Sequence, residues 1–212
     1  MLPSPQRPTG RRLSFAAPAE ARAQRVSRER QTMAIDLRDA TEADFEAITA
    51  IYAHNVLHGT GTFALEPPSR DDMLAGFASV KGMRLPYIVA VEDDQILGYA
   101  YASPFRARPA YRYGVEDSIY LAPDQTGKGL GKALLNRLIE LCTQRGLYSM
   151  IAVIGDSDNG ASIGVHKTCG FEQTGTLPRA GFKFGRWLDV VFMTRDLLPP
   201  TDHPVGTGWS DE

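Results

Sequence analysis

No apolar run in this 212-residue chain approaches the roughly 20 residues that a helix needs to cross a bilayer, so no membrane partner is expected. Cysteine is scarce. The two that occur, Cys142 and Cys169, fall in segments that read as apolar helix faces. That pattern excludes a disulfide framework and favours buried free thiols in a reducing, cytoplasmic setting over a bridge. No internal repeat is visible, which excludes solenoids and propellers. An excess of one charge is also missing, since 23 basic residues face 25 acidic ones for a net charge of −2. What charge asymmetry exists is confined to one end: residues 1–32 hold seven Arg against two Glu, +5, leaving about −7 for the rest. The acidic remainder excludes nucleic acid as an expected partner.

With 43% hydrophobic and 23% charged residues, the chain can bury one sizeable core. The first 32 residues differ in kind. They are rich in Pro, Ala, Arg and Ser without apolar periodicity, which reads as a disordered basic leader. Its longest apolar stretch, near Leu13 to Ala17, is too short for a signal peptide. An organelle transit peptide and a natural start at Met33, with the leader no part of the native protein, both stay open. Residues 33–197 form the expected folded domain, and 198–212 read as a flexible tail.

The densest signal is Pro123-Asp124-Gln125-Thr126-Gly127-Lys128-Gly129-Leu130-Gly131-Lys132, where three alternate glycines run into an amphipathic helix. Glycines free to turn sharply can fan backbone N–H groups outward, and the helix adds the positive end of its dipole, so the loop should bind a pyrophosphate. A turn that merely starts the helix is the plainer alternative. Walker A spacing fails because Thr126 and Ala133 occupy the positions of a glycine and a hydroxyl. The dinucleotide fingerprint fails at Lys132, where it needs glycine.

Periodicity places the elements around this loop. Ile35 to Arg38 reads as a strand. Thr41 with Asp44 caps a helix carrying Phe45, Ile48, Ile51 and Tyr52, and Ser69 with Asp72 caps another carrying Met73, Leu74 and Phe77. Between them, His58 to Pro68 is a loop. Tyr87 to Val91 and Gln95 to Ala102 read as a hairpin through Asp93-Asp94, and Val115 to Leu121 is a strand feeding the glycine loop. Leu130, Leu134, Leu135, Leu138, Leu141 and Cys142 line the next helix, which Gly146 ends. Tyr148 to Ile154, a short helix from Asn159 to Thr168, and strands over Phe171 to Thr176 and Leu188 to Arg195 complete the domain.

The glycine loop resembles the acyl-CoA loop of the GNAT N-acetyltransferase superfamily, although Thr126 stands where that family has Arg or Gln. Asn159-Gly160-Ala161-Ser162, followed by a helix ending in Gly170-Phe171, resembles the second signature of the same family. The run Arg106-Ala107-Arg108 through Val115-Glu116-Asp117-Ser118-Ile119-Tyr120-Leu121 resembles its phosphinothricin and methionine sulfoximine acetyltransferase branch, as do Thr62-Phe63, Glu66-Pro67 and Gly181 to Asp189. The resemblance covers about Ile35 to Leu197. It implies an α/β (α+β) fold, with a mixed, twisted central sheet of about seven strands flanked by helices.

For function, the resemblance implies an acetyl-CoA-dependent acyltransferase acting on a small-molecule amino-acid substrate, without a metal, in a cytoplasmic homodimer. Its alternatives are an acetyltransferase for other amines or protein N-termini and a non-catalytic acyl-CoA-binding module. Glu116 is the candidate general base, or a carboxylate that only orients the amine. Phe63, Ala107, Asp117 and Ser118 would line the substrate side, and Arg106 and Arg108 would hold a substrate carboxylate unless they are merely solvated. Ile119, Tyr120 and Leu121 would flank the acyl group. Gly127, Lys128, Gly129, Leu130, Gly131 and Lys132 would meet the phosphates, and Asn159 the pantetheine arm, alongside its role as a helix cap. His166 reads as a histidine packed beside the sheet. The family's usual proton donor to the thiolate, a tyrosine after the second signature, has no counterpart between Phe171 and Trp187.

Overall fold

The computed structural model describes residues 35–206, 208 and 209; the basic leader and the start at Met33 lie outside the described residues. Seven strands form one sheet: β1 (Asp36–Asp39), β2 (Tyr87–Glu92), β3 (Gln95–Pro104), β4 (Gly114–Leu121), β5 (Ser149–Gly155), β6 (Glu172–Lys183) and β7 (Arg186–Asp196). Their order is β1-β2-β3-β4-β5-β7-β6. Only β4 and β5 run parallel, so the expected mixed seven-stranded sheet is what the chain builds.

Four helices cover the sheet: α1 (Phe45–His58), α2 (Arg70–Gly82), α3 (Leu130–Gln144) and α4 (Gly160–Thr168). Both expected capping boxes are present, Thr41 with Asp44 at the short 3-10 turn that leads into α1 and Ser69 with Asp72 at α2. The hairpin between β2 and β3 turns on Asp93 and Asp94, both in the left-handed region at φ 49° and 62°. Asp and Asn tolerate that region better than other side-chain-bearing residues, which is why two aspartates can replace the usual glycine.

The core is continuous. Phe45, Ile48, Tyr87, Tyr99, Leu134, Leu135, Leu138, Met150 and Met193 lie within it, fully or almost fully buried. On α3 the buried stripe is Leu130, Leu134, Leu135, Leu138, Ile139 and Cys142, so Ile139 takes the place expected for Leu141, which packs only at the margin. Both cysteines are free and buried, as expected.

Two boundaries differ from the sequence reading. β6 runs to Lys183 instead of stopping at Thr176; bulges between Gln173 and Gly175 and between Leu177 and Gly181 absorb Pro178 and the glycines that look like strand breakers. Within the stretch read as a flexible tail, Trp209 donates its backbone N–H to the Arg112 carbonyl at 2.9 Å and its indole N–H to the Tyr111 and Gly114 carbonyls at 3.2 Å.

β4 pairs with β5 only at Gly114, Val115 and Glu116. Beyond Glu116 the two parallel strands separate, and a cleft opens in the sheet.

Candidate active site

The cleft is a cavity of about 690 Å³. One wall is β4 from Glu116 to Tyr120, the opposite wall is Ala152 to Gly155 of β5, and the segment from His58 to Phe63 after α1 closes a third side. Asn159, Ser162 and His166 reach it from the start and middle of α4.

Register fixes which backbone groups face the cleft. Gly98 opposes Leu121, and Ala122 donates to the Leu97 carbonyl at 2.9 Å. Hydrogen-bonded pairs alternate along an antiparallel ladder, so the polar groups of Glu116, Ser118 and Tyr120 turn toward β3 while those of Asp117, Ile119 and Leu121 turn toward β5. With β5 splayed away beyond Glu116, Ile119 and Leu121 have no strand to meet on that side. The Leu121 carbonyl is taken by the Asn55 side chain at 3.2 Å, whereas the Ile119 and Leu121 N–H groups point into the cleft as ready donors.

The same alternation separates the side chains of β4. Glu116, Ser118 and Tyr120 share a face with Tyr99, Tyr101 and Tyr87, beneath α1 and α2. Asp117 lies on the other. Burial beside that tyrosine cluster, reinforced by the Asp117 charge and opposed by Arg106, pushes the Glu116 carboxyl from 4.5 up to about 7. A half-buried carboxylate with that value can take a proton near neutral pH.

Asp117 is engaged elsewhere. Its Oδ2 lies 3.0 Å from His166 Nε2, and His166 Nδ1 donates to the Ser162 carbonyl at 2.8 Å. Both side chains are buried, and the imidazole stands edge-on to Phe171. Burial works against a charged imidazole, but the Asp117 hydrogen bond and charge outweigh it, and His166 is held above its ordinary value. The bond to the Ser162 carbonyl fixes Nδ1 as the protonated nitrogen, leaving Nε2 to share the second proton with Asp117.

The glycine loop lies beyond the C-terminal end of β4. Gly127 and Gly129 have φ of 75° and 81°, and Gly129 caps α3 without any side-chain cap. Open space lies where their Cβ atoms would be. The first helical N–H groups, at Leu130, Gly131 and Lys132, precede the first intrahelical bond, which Ala133 makes to Gly129 at 3.1 Å. Backbone donors, dipole and free space fit a diphosphate. Among the described residues no group of three or more His, Cys, Asp or Glu is placed to hold a metal.

The cavity brings together Phe63, Glu116, Asp117, Ser118, Ile119, Tyr120 and Asn159 of the expected residues. Asn159 caps α4 by accepting from the Ser162 N–H at 3.2 Å. Lys128 reaches Gln125 at 3.1 Å beside the cradle, while the Lys132 side chain lines a second cleft with Thr168, Cys169 and Arg195, so only its backbone faces the loop. Arg106, Ala107 and Arg108 lie outside the cavity lining, in the exposed loop before β4. Arg106 donates to its neighbour's carbonyl at 2.9 Å and covers the Phe105 ring.

Several site residues were not assigned from the sequence. Thr62 is buried and shares a 2.9 Å hydrogen bond with the Tyr52 hydroxyl. Lys183 is buried and donates to the Gly59 and Thr62 carbonyls, each at 2.8 Å. Arg186 pairs with Asp156, which sits at φ 75° where β5 leaves the sheet; burial opposes its ionisation, but the guanidinium prevails and holds Asp156 below the usual carboxylate range. Their only sequence signal was membership of runs that mark the branch, since the contacts join residues as far as 124 positions apart.

Residues 45–171 match the model of the acetyltransferase (GNAT) family. The chain is 49% identical over 174 residues to a phosphinothricin N-acetyltransferase of Alcaligenes faecalis, covering 82% of this chain and 88% of that one. It is 40% identical over 161 residues to an L-methionine sulfoximine/L-methionine sulfone acetyltransferase of Salmonella typhimurium, covering 76% and 94%. The crystal structure of a phosphinothricin acetyltransferase from Sinorhizobium meliloti in complex with acetyl-CoA superposes with a TM-score of 0.78 at 45% identity, covering 84% of this chain and all of that one.

Proposed function

The chain belongs to the acetyltransferase (GNAT) family, and we propose that it transfers the acetyl group of acetyl-CoA to the α-amine of a small amino acid such as phosphinothricin, methionine sulfoximine or methionine sulfone. The observation that carries this is Glu116: a carboxylate raised to about 7 stands where β4 and β5 part and lines the cleft. As a general base it takes the proton from the substrate ammonium, directly or through one water, and so frees the nitrogen lone pair for attack on the thioester carbonyl; the C–N bond forms as the C–S bond breaks, and coenzyme A departs as the thiol with the nitrogen's second proton.

Acetyl-CoA supplies an activated acyl group, and the chain's part is to bind and orient it. Backbone N–H groups of Leu130, Gly131 and Lys132, with Gly127 and Gly129 shaping the turn and Lys128 alongside, grip the diphosphate. Asn159 meets the pantetheine arm through the amide N–H that is not directed at the Gly155 carbonyl. Ile119, Tyr120 and Leu121 flank the acyl group, and the N–H groups of Ile119 and Leu121 stabilise charge developing on the thioester oxygen. Phe63 and Ser118 shape the acceptor pocket. Arg106 and Arg108, in the loop next to Glu116, are assigned to the substrate carboxylate at the cavity mouth. Asp117 serves as the buried partner of His166.

Two free, buried cysteines support a cytoplasmic setting. A homodimer is supported by Leu177, Phe182, Phe184 and Trp187, all more than half exposed on β6, β7 and the turn joining them, with Phe182 and Trp187 packed edge to face at 5.3 Å. Sedimentation at micromolar protein tests the dimer.

Thiol release from acetyl-CoA with a panel of free amino acids and N-terminal peptides tests the activity. Turnover of amino acids carrying a free carboxylate, with little on peptides, is the expected result. Turnover of peptides alone overturns it.

A further inference from the structure

The segment from Gly59 to Phe63, which follows α1, lines the cavity from outside the sheet. Its attachment is unusual. Lys183, buried on β6, donates to the Gly59 and Thr62 carbonyls at 2.8 Å each, and the Thr62 hydroxyl meets the Tyr52 hydroxyl of α1 at 2.9 Å. The segment is therefore held by β6 through its backbone and by α1 through the Thr62 side chain. Between these clamps the segment lies directly on two glycines. A Cβ on Gly155 would overlap the Thr60 carbonyl oxygen and approach Phe63 Cε2 to 3.2 Å, and a Cβ on Gly181 would overlap Cδ1 and Cε1 of the Phe63 ring. Neither glycine has a positive φ, so backbone conformation does not demand glycine at either place. Space for the wall does.

Phe63 lines the cavity, and its ring rests on β6 only because Gly181 has no side chain. Gly181 and Lys183 lie two residues apart and so project to the same side of β6. We propose that Gly181 is a specificity-determining residue: it holds the Phe63 ring back and thereby sets how large an amino-acid side chain the acceptor pocket admits. A methyl group at this position cannot push the backbone away, because Lys183 and Tyr52 hold it, so the ring turns into the cavity. The loss of room falls on the acceptor's side chain and spares the glycine cradle at the far end of β4. This inference rests on the amino-acid acceptor reading above.

The test compares the full-length wild type, Gly181→Ala, Phe63→Ala and the double variant. Each is assayed by thiol release with saturating acetyl-CoA and with two α-amino acids, alanine and methionine sulfone, and each is also melted by scanning calorimetry. Gly181→Ala is expected to lower the ratio of kcat/KM for methionine sulfone over alanine by about tenfold, the scale on which apolar pockets discriminate small differences in size. The KM for acetyl-CoA should stay within about twofold of the wild type, as uniform binding at an untouched subsite requires. In the double variant the ratio should return to that of Phe63→Ala, and the melting temperatures should be non-additive, since the clash needs both partners. An unchanged ratio in Gly181→Ala, an equal loss for both acceptors, or additive behaviour in the double variant overturns the assignment. Should the wild type acetylate no amino acid, the proposed function fails first and the specificity role with it; wild-type turnover with an unchanged ratio overturns the role of Gly181 alone.

Discussion

Replacing Glu116 by Gln removes one ionisation and leaves the shape of the cleft nearly intact. In the wild type the carboxyl is raised from 4.5 to about 7. As a base it must be ionised, so kcat/KM should fall as pH drops through about 7, with roughly a tenth of the sites competent at pH 6 and nine-tenths at pH 8. The Gln variant should lose that limb and about 10²- to 10⁴-fold in kcat, the usual contribution of a positioned base. Stability should move in the opposite direction. A carboxyl whose folded value is raised contributes its stabilisation below the unfolded value of 4.5 and loses it as pH rises through about 7, so at pH 8 the ionised wild type carries a penalty that the Gln variant lacks. The full shift corresponds to roughly 3 kcal/mol. The side chain is only part-buried, and solvent screening reduces this to about 1–2 kcal/mol. For a protein of this size that is a rise in melting temperature of about 2–8 °C at pH 8 and almost none at pH 4. Steady-state thiol release and calorimetry across pH 5 to 9 read both effects. A Gln variant that keeps the wild-type kcat at all pH values and raises only the amino-acid KM refutes the base assignment, and an equal melting temperature at pH 8 refutes the burial argument.

Arg106→Ala removes the one positive charge that counters the rise at Glu116, so the acid limb of kcat/KM should move to higher pH; a limb that stays put separates Arg106 from the site. Gly129→Ala places a side chain at φ 81° and a methyl group in the open cradle, which should cost about 1–2 kcal/mol of strain and weaken acetyl-CoA binding severalfold by titration calorimetry, with the amino-acid KM unchanged. Asp117→Asn should lower stability by about 1–3 kcal/mol, because it removes the charge-assisted partner of a buried imidazole. Since His166 is raised, its pairing energy is present below the ordinary histidine value and lost as pH climbs through the higher folded value; the Asn variant should lack that decline, best seen in a Glu116→Gln background. Lys183→Met should raise the amino-acid KM and lower the melting temperature, leaving the Gly59 and Thr62 carbonyls without a donor, while the acetyl-CoA KM stays near the wild-type value.

What could be read from the chain were the features whose causes are local. Capping boxes at Thr41 and Ser69, the Asp93-Asp94 turn, the apolar stripe of α3 and the glycine cradle each draw their geometry from residues within a few positions, and all are present. β6 resisted because Gly175, Pro178 and Gly181 punctuate it, and only pairing with β7 keeps such a strand extended. The site divided along the same line. Glu116 and Ile119 to Leu121 lie on one strand, so one motif names these candidates together. The Asp117–His166 pair joins residues 49 apart, and the Lys183 clamp spans more than twice that distance; such contacts exist only once the sheet has assembled. A run of three residues, Glu116-Asp117-Ser118, looks like one patch in sequence, yet a strand turns its middle member to the opposite face.

That alternation bears on how the chemistry arises. The same topology that parts β4 from β5 beyond Glu116 opens the cleft and aims the Ile119 and Leu121 N–H groups into it. Its even-numbered side chains face the tyrosines of β2 and β3, whose bulk withdraws Glu116 from water and raises its carboxyl. Its odd-numbered Asp117 finds His166 on the other side, where a buried negative charge is compensated by a partner and still adds to the rise at Glu116. The Glu116 carboxyl is thus set from opposite faces of one strand, by burial on one and by a charge on the other. Neutralising Asp117 should therefore lower the Glu116 value without any change on the tyrosine face, and the acid limb of kcat/KM should shift down in Asp117→Asn while it shifts up in Arg106→Ala. Two substitutions that move the limb in opposite directions, neither touching the carboxyl itself, would show that the environment of Glu116 governs the rate, and a limb that follows neither would place the titrating group elsewhere.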